Sequence, residues 1–162
     1  LYDSDRDEFT DGWLFAQVRG RQNIAIIACT TDGDVFGCYL THLSAEVYTC
    51  FNVGDLFLFS FQSHGRCLTP HRFPLADSGW DRAYAEFTPR YPGVGFLSIL
   101  FDRCHGCCED TVAALTFGDV KSETYCDELS RFFQNIKDTT LTGTTGPENP
   151  FHTARLVAVQ LV

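Results

Sequence analysis

The sequence predicts a mostly β protein, a two-sheet antiparallel β-sandwich with about two flanking α-helices. Three observations point there. Short apolar runs rich in β-branched and aromatic residues recur between breaks containing Gly, Asp and Thr, and such side chains fit a pleated surface. Asp32-Gly33 stands between two of these runs, a hairpin signal because Gly accepts positive φ without steric cost. No strand–helix–strand rhythm is present, so the strands lack the crossovers that parallel pairing requires.

In chain order, the first expected element is a short helix capped by Thr10 or Asp11. Phe9 and Trp13, then Leu14 and Val18, are spaced as on helical faces, and Gly20 stops the element. Residues 24–29 and 35–40 are the arms of the hairpin. Residues 41–55 read as a partly buried loop, and residues 56–61, apolar apart from Ser60, as a strand covered on both faces. Gly65, Pro70, Pro74 and Gly79 punctuate the next stretch and leave room for one short edge strand near Cys67-Leu68. Residues 83–88 alternate and predict a strand, residues 89–93 a turn, residues 95–101 a buried strand and residues 112–117 a further short one. Leu129, Phe132, Phe133 and Ile136 fall at i, i+3, i+4 and i+7, the spacing of an amphipathic helix over 126–138. Residues 139–150, rich in Thr, Gly and Pro, read as loop, and residues 153–162 as the closing strand. The expected total is about seven strands and two helices.

The 162 residues fit one domain, expected over 13–162. An acidic tail at 1–12 precedes it, with Asp3, Asp5, Asp7, Glu8 and Asp11 against Arg6, and residues 120–150 read as a helical and loop insertion. At this length folding buries roughly 70% of the extended chain's surface, so the core needs no staples. Met is absent and the first residue is Leu, the mark of a fragment or a processed chain. The net charge of −9 argues against nucleic acid, whose phosphates need a basic face, and against an anionic membrane surface; a basic protein partner suits it better. No apolar run approaches the roughly 20 residues of a membrane-spanning helix, so direct insertion is not expected. The eight cysteines read as reduced thiols of a cytoplasmic protein, since Cys29 and Cys38 sit inside apolar runs where a free thiol acts as a small hydrophobe.

One local motif carries chemistry. In Cys104-His105-Gly106-Cys107-Cys108, the residues Cys104, His105, Cys107 and Cys108 offer half of a tetrahedral zinc site or a thiol-redox pair. The other half would have to come from scattered positions, Cys67, His64, Cys126 and His152, because no second C-x-x-C or paired His exists. A tight loop of small residues is the plainer reading, and a zinc or thiol-redox protein is the alternative. Ser60 or Ser98 with His64 or His105 formally supplies a nucleophile and a base, but no G-x-S-x-G elbow surrounds either serine. Glu109-Asp110 reads as solvated surface, and the fifteen phenylalanines as core rather than a base-stacking platform. No catalytic residue and no cofactor is assigned on these grounds.

Taken together, the strand set resembles the TLDc domain family. Thr31-Asp32-Gly33-Asp34-Val35-Phe36-Gly37-Cys38-Tyr39 resembles its DG-x-VFG-x-Y hairpin, and the stretch from Gly54-Asp55 through Phe59 to Phe61 resembles its FLFS strand. Gly95-Phe96 through Asp102, then His105-Gly106, resembles its G-x-FALWLD…HG segment; Leu115-Thr116-Phe117-Gly118-Asp119 resembles its ETFGN; residues 151–162 resemble its closing strand. The order and spacing hold over about residues 13–162. Residues 120–150 are longer than the family's link, and Leu156, Val157 and Gln160 stand where acidic and aromatic residues are expected, the marks of a divergent member. The resemblance implies a two-sheet sandwich whose motif positions are Asp32, Gly33, Phe36, Gly37, Gly54, Asp55, Phe59, Gly95, His105, Gly106, Phe117 and Gly118. It also implies a non-catalytic protein-interaction module that binds and regulates the vacuolar proton-pumping ATPase (V-ATPase) through its peripheral subunits. With that come protection against oxidative stress and a place in the cytoplasm and at the surface of vacuoles or lysosomes.

Overall fold

The computed structural model describes residues 1–7, 13–43, 45, 51–52, 55–76, 82–91, 94–102, 112–117, 125–145, 148 and 150–162. Along them run β1 (Tyr2–Asp3), α1 (Trp13–Val18), β2 (Gln22–Thr30), β3 (Val35–His42), β4 (Phe51–Asn52), β5 (Phe57–Gln62) and β6 (His71–Pro74). There follow β7 (Arg82–Tyr91), β8 (Val94–Asp102), β9 (Val112–Phe117), β10 (Tyr125–Cys126), α2 (Leu129–Phe132) and β11 (Thr153–Gln160). Among the described residues the protein is mostly β with two short helices. Its larger sheet is antiparallel, six-stranded, in the order β1-β11-β2-β3-β5-β6; a second antiparallel ladder runs β10-β9-β8-β7-β4.

The β2–β3 hairpin closes through three residues, Thr31, Asp32 and Gly33. Gly33 N donates to Thr30 O (3.0 Å), Thr30 N to Asp34 O (2.9 Å) and Asp34 N to Thr30 Oγ1 (3.0 Å). Of the three loop residues only Gly33 has positive φ, +88°. The connection is therefore a loop ended by a left-handed glycine, not the two-residue primed turn, which needs positive φ at both positions. Period-two alternation then places Ile24, Ile26 and Ala28 of β2 on the same buried face as Phe36, Cys38 and Leu40 of β3, Leu58 of β5 and Leu156 and Ala158 of β11. These join one core with Leu115 and Phe117 of β9, Cys126 of β10, and Val18, Leu129 and Phe132 of the helices. Phe36 lies 6.4 Å from Phe117, ring to ring, and meets Phe151 edge-on at 5.2 Å. Each such side chain contributes about 1.5–3 kcal/mol when fully buried.

Several expectations change. The segment expected as a helix over 126–138 is helical only in α2. Phe133 is extended (φ −126°, ψ 149°), bridges Leu75, and is followed by left-handed Asn135 (φ 58°). Gln134 N donates to Pro74 O and Ala76 N to Phe132 O, both at 2.8 Å, so this backbone docks against the end of β6. Leu129, Phe132, Phe133 and Ile136 are nonetheless all buried. Their spacing identified the buried side chains, while the unpaired edge strand took the backbone that a helix would have used.

The edge strand expected near Cys67-Leu68 lies at His71–Pro74 instead. Residues 63–66 form a tight turn, with Arg66 N donating to Ser63 O (2.9 Å) and with positive φ at both His64 (46°) and Gly65 (79°). The turn expected at 89–93 starts later, because β7 pairs Pro89 with Gly95 and continues to Tyr91. The acidic opening, expected as a tail, begins as a strand: Tyr2 pairs with Ala158 and Asp3 with Val157, and both are buried. In the closing loop, Thr140, Leu141 and Thr142 are buried. Eleven strands stand among the described residues in place of about seven, the additions being pieces as short as β1, β4 and β10, which leave no apolar run to read. In α1, Val18 is buried and Gly20 ends the element with φ +66°; the expected caps Thr10 and Asp11, and Phe9, lie outside the described residues. Among the described residues, no helix is long and apolar enough to cross a membrane.

Candidate interaction surface

β5 carries Phe57, Phe59 and Phe61 two residues apart, so their rings leave one face of the sheet while Leu58 and Ser60 turn to the core. The β3–β5 register sets Tyr39 opposite Phe57 and Gly37 opposite Phe59. The four rings form a row. Tyr39 and Phe57 stack with centroids 4.9 Å apart, Phe57 and Phe59 lie 6.4 Å apart, and Phe59 and Phe61 5.0 Å apart. Arg72 of β6 places its guanidinium carbon 3.9 Å from the Phe57 centroid, a cation–π contact. The Tyr39 hydroxyl donates to Asn23 Oδ1 at 2.8 Å.

Gly37 is the floor under the row. A Cβ there would stand 2.7 Å from Phe59 Cζ and 1.9 Å from Ile26 O. On the same face Ile27, Val35, Val157 and Val159 are half-buried, and Phe61 is 53% exposed. The strand expected to be covered on both faces is covered fully on the core face; on the other, Phe59 is buried, Phe57 half-buried and Phe61 exposed. Leu58 fills the gap between Phe57 and Phe59, so the whole run looks like core; the period of two is what separates the exposed Phe61 from Leu58 and Ser60.

A second convergence lies at the end of this sheet. Asp34 is buried, and its Oδ1 accepts from His64 Nδ1 (2.8 Å) and from Arg66 Nη2 (2.5 Å). Arg66 also donates through Nε to Thr140 O (3.1 Å) and through Nη2 to Leu141 O (2.9 Å). Ser63 Oγ accepts from Cys67 N at 2.7 Å and tightens the same turn. His64, weighed in the sequence as a base, is oriented by a buried carboxylate in the way a general base is. Among the described residues, however, no hydroxyl or thiol hydrogen-bonds its other ring nitrogen. Ser60, weighed beside it, is buried and its hydroxyl bonds to no described group.

The motif positions are distributed through this frame. Asp32 and Gly33 make the hairpin loop, Phe36 and Gly37 lie in β3, Asp55 is exposed just ahead of β5, Phe59 lies in β5, Gly95 in β8 and Phe117 at the end of β9. Phe36 and Phe117 meet in the core, and Gly37 and Phe59 meet on the outer face. Gly54, His105, Gly106 and Gly118 lie outside the described residues, as do Cys104, Cys107 and Cys108.

No protein-family model matches the chain, and no curated protein matches it. Among the described residues no three His, Cys, Asp or Glu side chains gather as a metal site. Cys29, Cys38, Cys67 and Cys126 are free thiols, and burial pushes the Cys38 and Cys126 thiols well up, so these two stay protonated and unreactive.

Proposed function

We propose that the chain is a non-catalytic protein-interaction module of the TLDc kind, a two-sheet sandwich that binds and regulates V-ATPase through a peripheral subunit. In this reading it works in the cytoplasm and at the surface of vacuoles or lysosomes, and its link to oxidative-stress protection runs through that partner. One observation carries the contact surface: the row of Tyr39, Phe57, Phe59 and Phe61 on the face of the six-stranded sheet away from the core, ending in the half-exposed ring of Phe61. Rigid aromatic side chains supply large contact area at small entropic cost and dominate interface energetics. The net charge of −9 suits a basic patch on the partner and steers its approach. The sandwich itself is supported by the Phe36–Phe117 contact between the two ladders.

The test is capture of the peripheral sector of the proton pump by the immobilised chain. Binding is expected at low salt and is expected to weaken as salt is raised. Phe61→Ser, at a site too exposed to matter for folding, is expected to cost about tenfold in affinity, the loss typical of an interface anchor. Absence of capture at low salt removes the pump as partner; capture unaffected by Phe61→Ser removes the aromatic row as the contact.

A further inference from the structure

Below the clamp on Asp34, the residues following the 63–66 turn, β6 and the segment 135–140 enclose a cleft of 520 Å³. That lies within the roughly 300–1,000 Å³ of small-molecule sites. The chain carries 21 acidic residues against 12 basic ones. The cleft inverts that balance: among the described residues Arg66 and Lys137 line it, and no Asp or Glu does. We propose that it binds a small phosphorylated molecule, with Lys137 supplying the charge that meets the phosphate.

The geometry favours phosphate over carboxylate. Arg66 is the group that would recognise a planar carboxylate with two parallel bonds, but its fork is already committed to Asp34 and to the carbonyls of Thr140 and Leu141. Lys137 is different. Lys137 N donates to Thr140 Oγ1 and Thr140 N to Lys137 O, both at 2.9 Å, so a closed turn fixes its main chain at the rim. Its ammonium is exposed and forms no ion pair among the described residues, whereas Arg6, Arg66, Arg131 and Arg155 are each paired with a carboxylate. An ammonium is a point charge with rotatable donors, suited to a tetrahedral oxyanion. The Asn135 amide and the Thr139 hydroxyl add neutral donors to the same wall. The His71 ring, held 4.9 Å from that of Phe73, gives the rest of the molecule a flat face to pack against. An ammonium and a ring surface in one cleft fit a phosphate monoester with a compact organic body.

Isothermal titration calorimetry of the full chain tests this, with glycerol phosphate, inorganic phosphate and malonate as probes at matched ionic strength. Glycerol phosphate is expected to saturate the chain with a Kd below about 1 mM and to bind more tightly than inorganic phosphate. Lys137→Gln is expected to weaken it by about tenfold or more while leaving the unfolding midpoint unchanged. His71→Asn is expected to weaken the monoester more than it weakens inorganic phosphate. No saturation by glycerol phosphate up to about 10 mM, equal affinity for malonate, a preference for inorganic phosphate, or undiminished binding by the folded Lys137→Gln chain each overturns the assignment.

Discussion

Gly37 shows how a single missing side chain can organise a surface. Its backbone does not need a left-handed conformation; what it needs is space. A Cβ at this position would stand 1.9 Å from the Ile26 carbonyl oxygen and 2.7 Å from the tip of the Phe59 ring. The ring can swing aside, but the carbonyl belongs to the neighbouring strand and moves only if β2 and β3 part. Gly37→Ala is therefore expected to destabilise the protein by about 2–3 kcal/mol, the upper part of the overpacking range. The midpoint of urea unfolding should fall with an unchanged slope. A loss below about 0.5 kcal/mol, the size of an ordinary surface substitution, would mean that β3 does not lie where this register places it. Gly33 is glycine for the other reason, its φ of +88°, and the sequence announced that one through the Asp-Gly pair. Nothing local announced why Gly37 is glycine, because its neighbours come from other strands.

At the scale of elements, β1 is the clearest case of structure held by a few strong bonds. Two residues cannot make a stable strand by pairing alone. Asp3 adds a fork to β11: Arg155 donates from Nε to Oδ1 (2.9 Å) and from Nη2 to Oδ2 (2.6 Å). Those hydrogen bonds, acting against the desolvation of burial, hold the Asp3 carboxyl well below its ordinary value, at about 2 rather than 3.8. A folded-state value below the unfolded one means that the pair contributes fully above the unfolded value and is lost as pH falls through the folded one. β1 is therefore expected to stay docked at neutral pH and to loosen between about pH 4 and pH 2, with amide exchange at the N-terminal residues rising ahead of the core. Asp3→Asn should lower that protection at neutral pH and flatten its change in this window. Identical profiles for the two chains would remove the carboxylate from the account.

The same scale explains what could be read in advance. The arms of the β2–β3 hairpin and the strand Val112–Phe117 were legible because each carries its own apolar pattern. β1 was not, since its strand partners, Ala158 and Val157, lie at the far end of the chain and two residues have no period. The 126–138 segment was half legible: burial of Leu129, Phe132, Phe133 and Ile136 could be read, but not the loss of their helix to the edge of β6. On the candidate surfaces, the alternation in β5 was visible in the sequence, whereas the cleft was not, because Arg66, His71 and Lys137 are brought together only by the docking of that same rerouted segment.

For the whole molecule, the decisive joint is Arg66. Its partners are Asp34, from the first hairpin, and the carbonyls of Thr140 and Leu141, 74 and 75 residues further along the chain. One guanidinium thus fastens the hairpin to the loop that follows β5, and both to the loop that leads into β11. The Asp34 side chain is 2% exposed and that of Arg66 27%, so neither charge can recover full hydration if the other is removed. Asp34→Asn and Arg66→Met are each expected to destabilise the protein by about 2–3 kcal/mol, somewhat under the cost of splitting a wholly buried pair because Arg66 retains some water. The double substitution should cost less than the sum by about 1–2 kcal/mol, since no unpaired charge is then left behind. Urea unfolding of the four chains reads this directly. Strict additivity would mean that the ion pair is incidental and that Arg66 acts only through the two carbonyls. The cycle also separates this joint from the outer face: Phe61→Ser should leave the unfolding midpoint nearly in place, because that ring is 53% exposed and its ring partner, Phe59, belongs to the same strand.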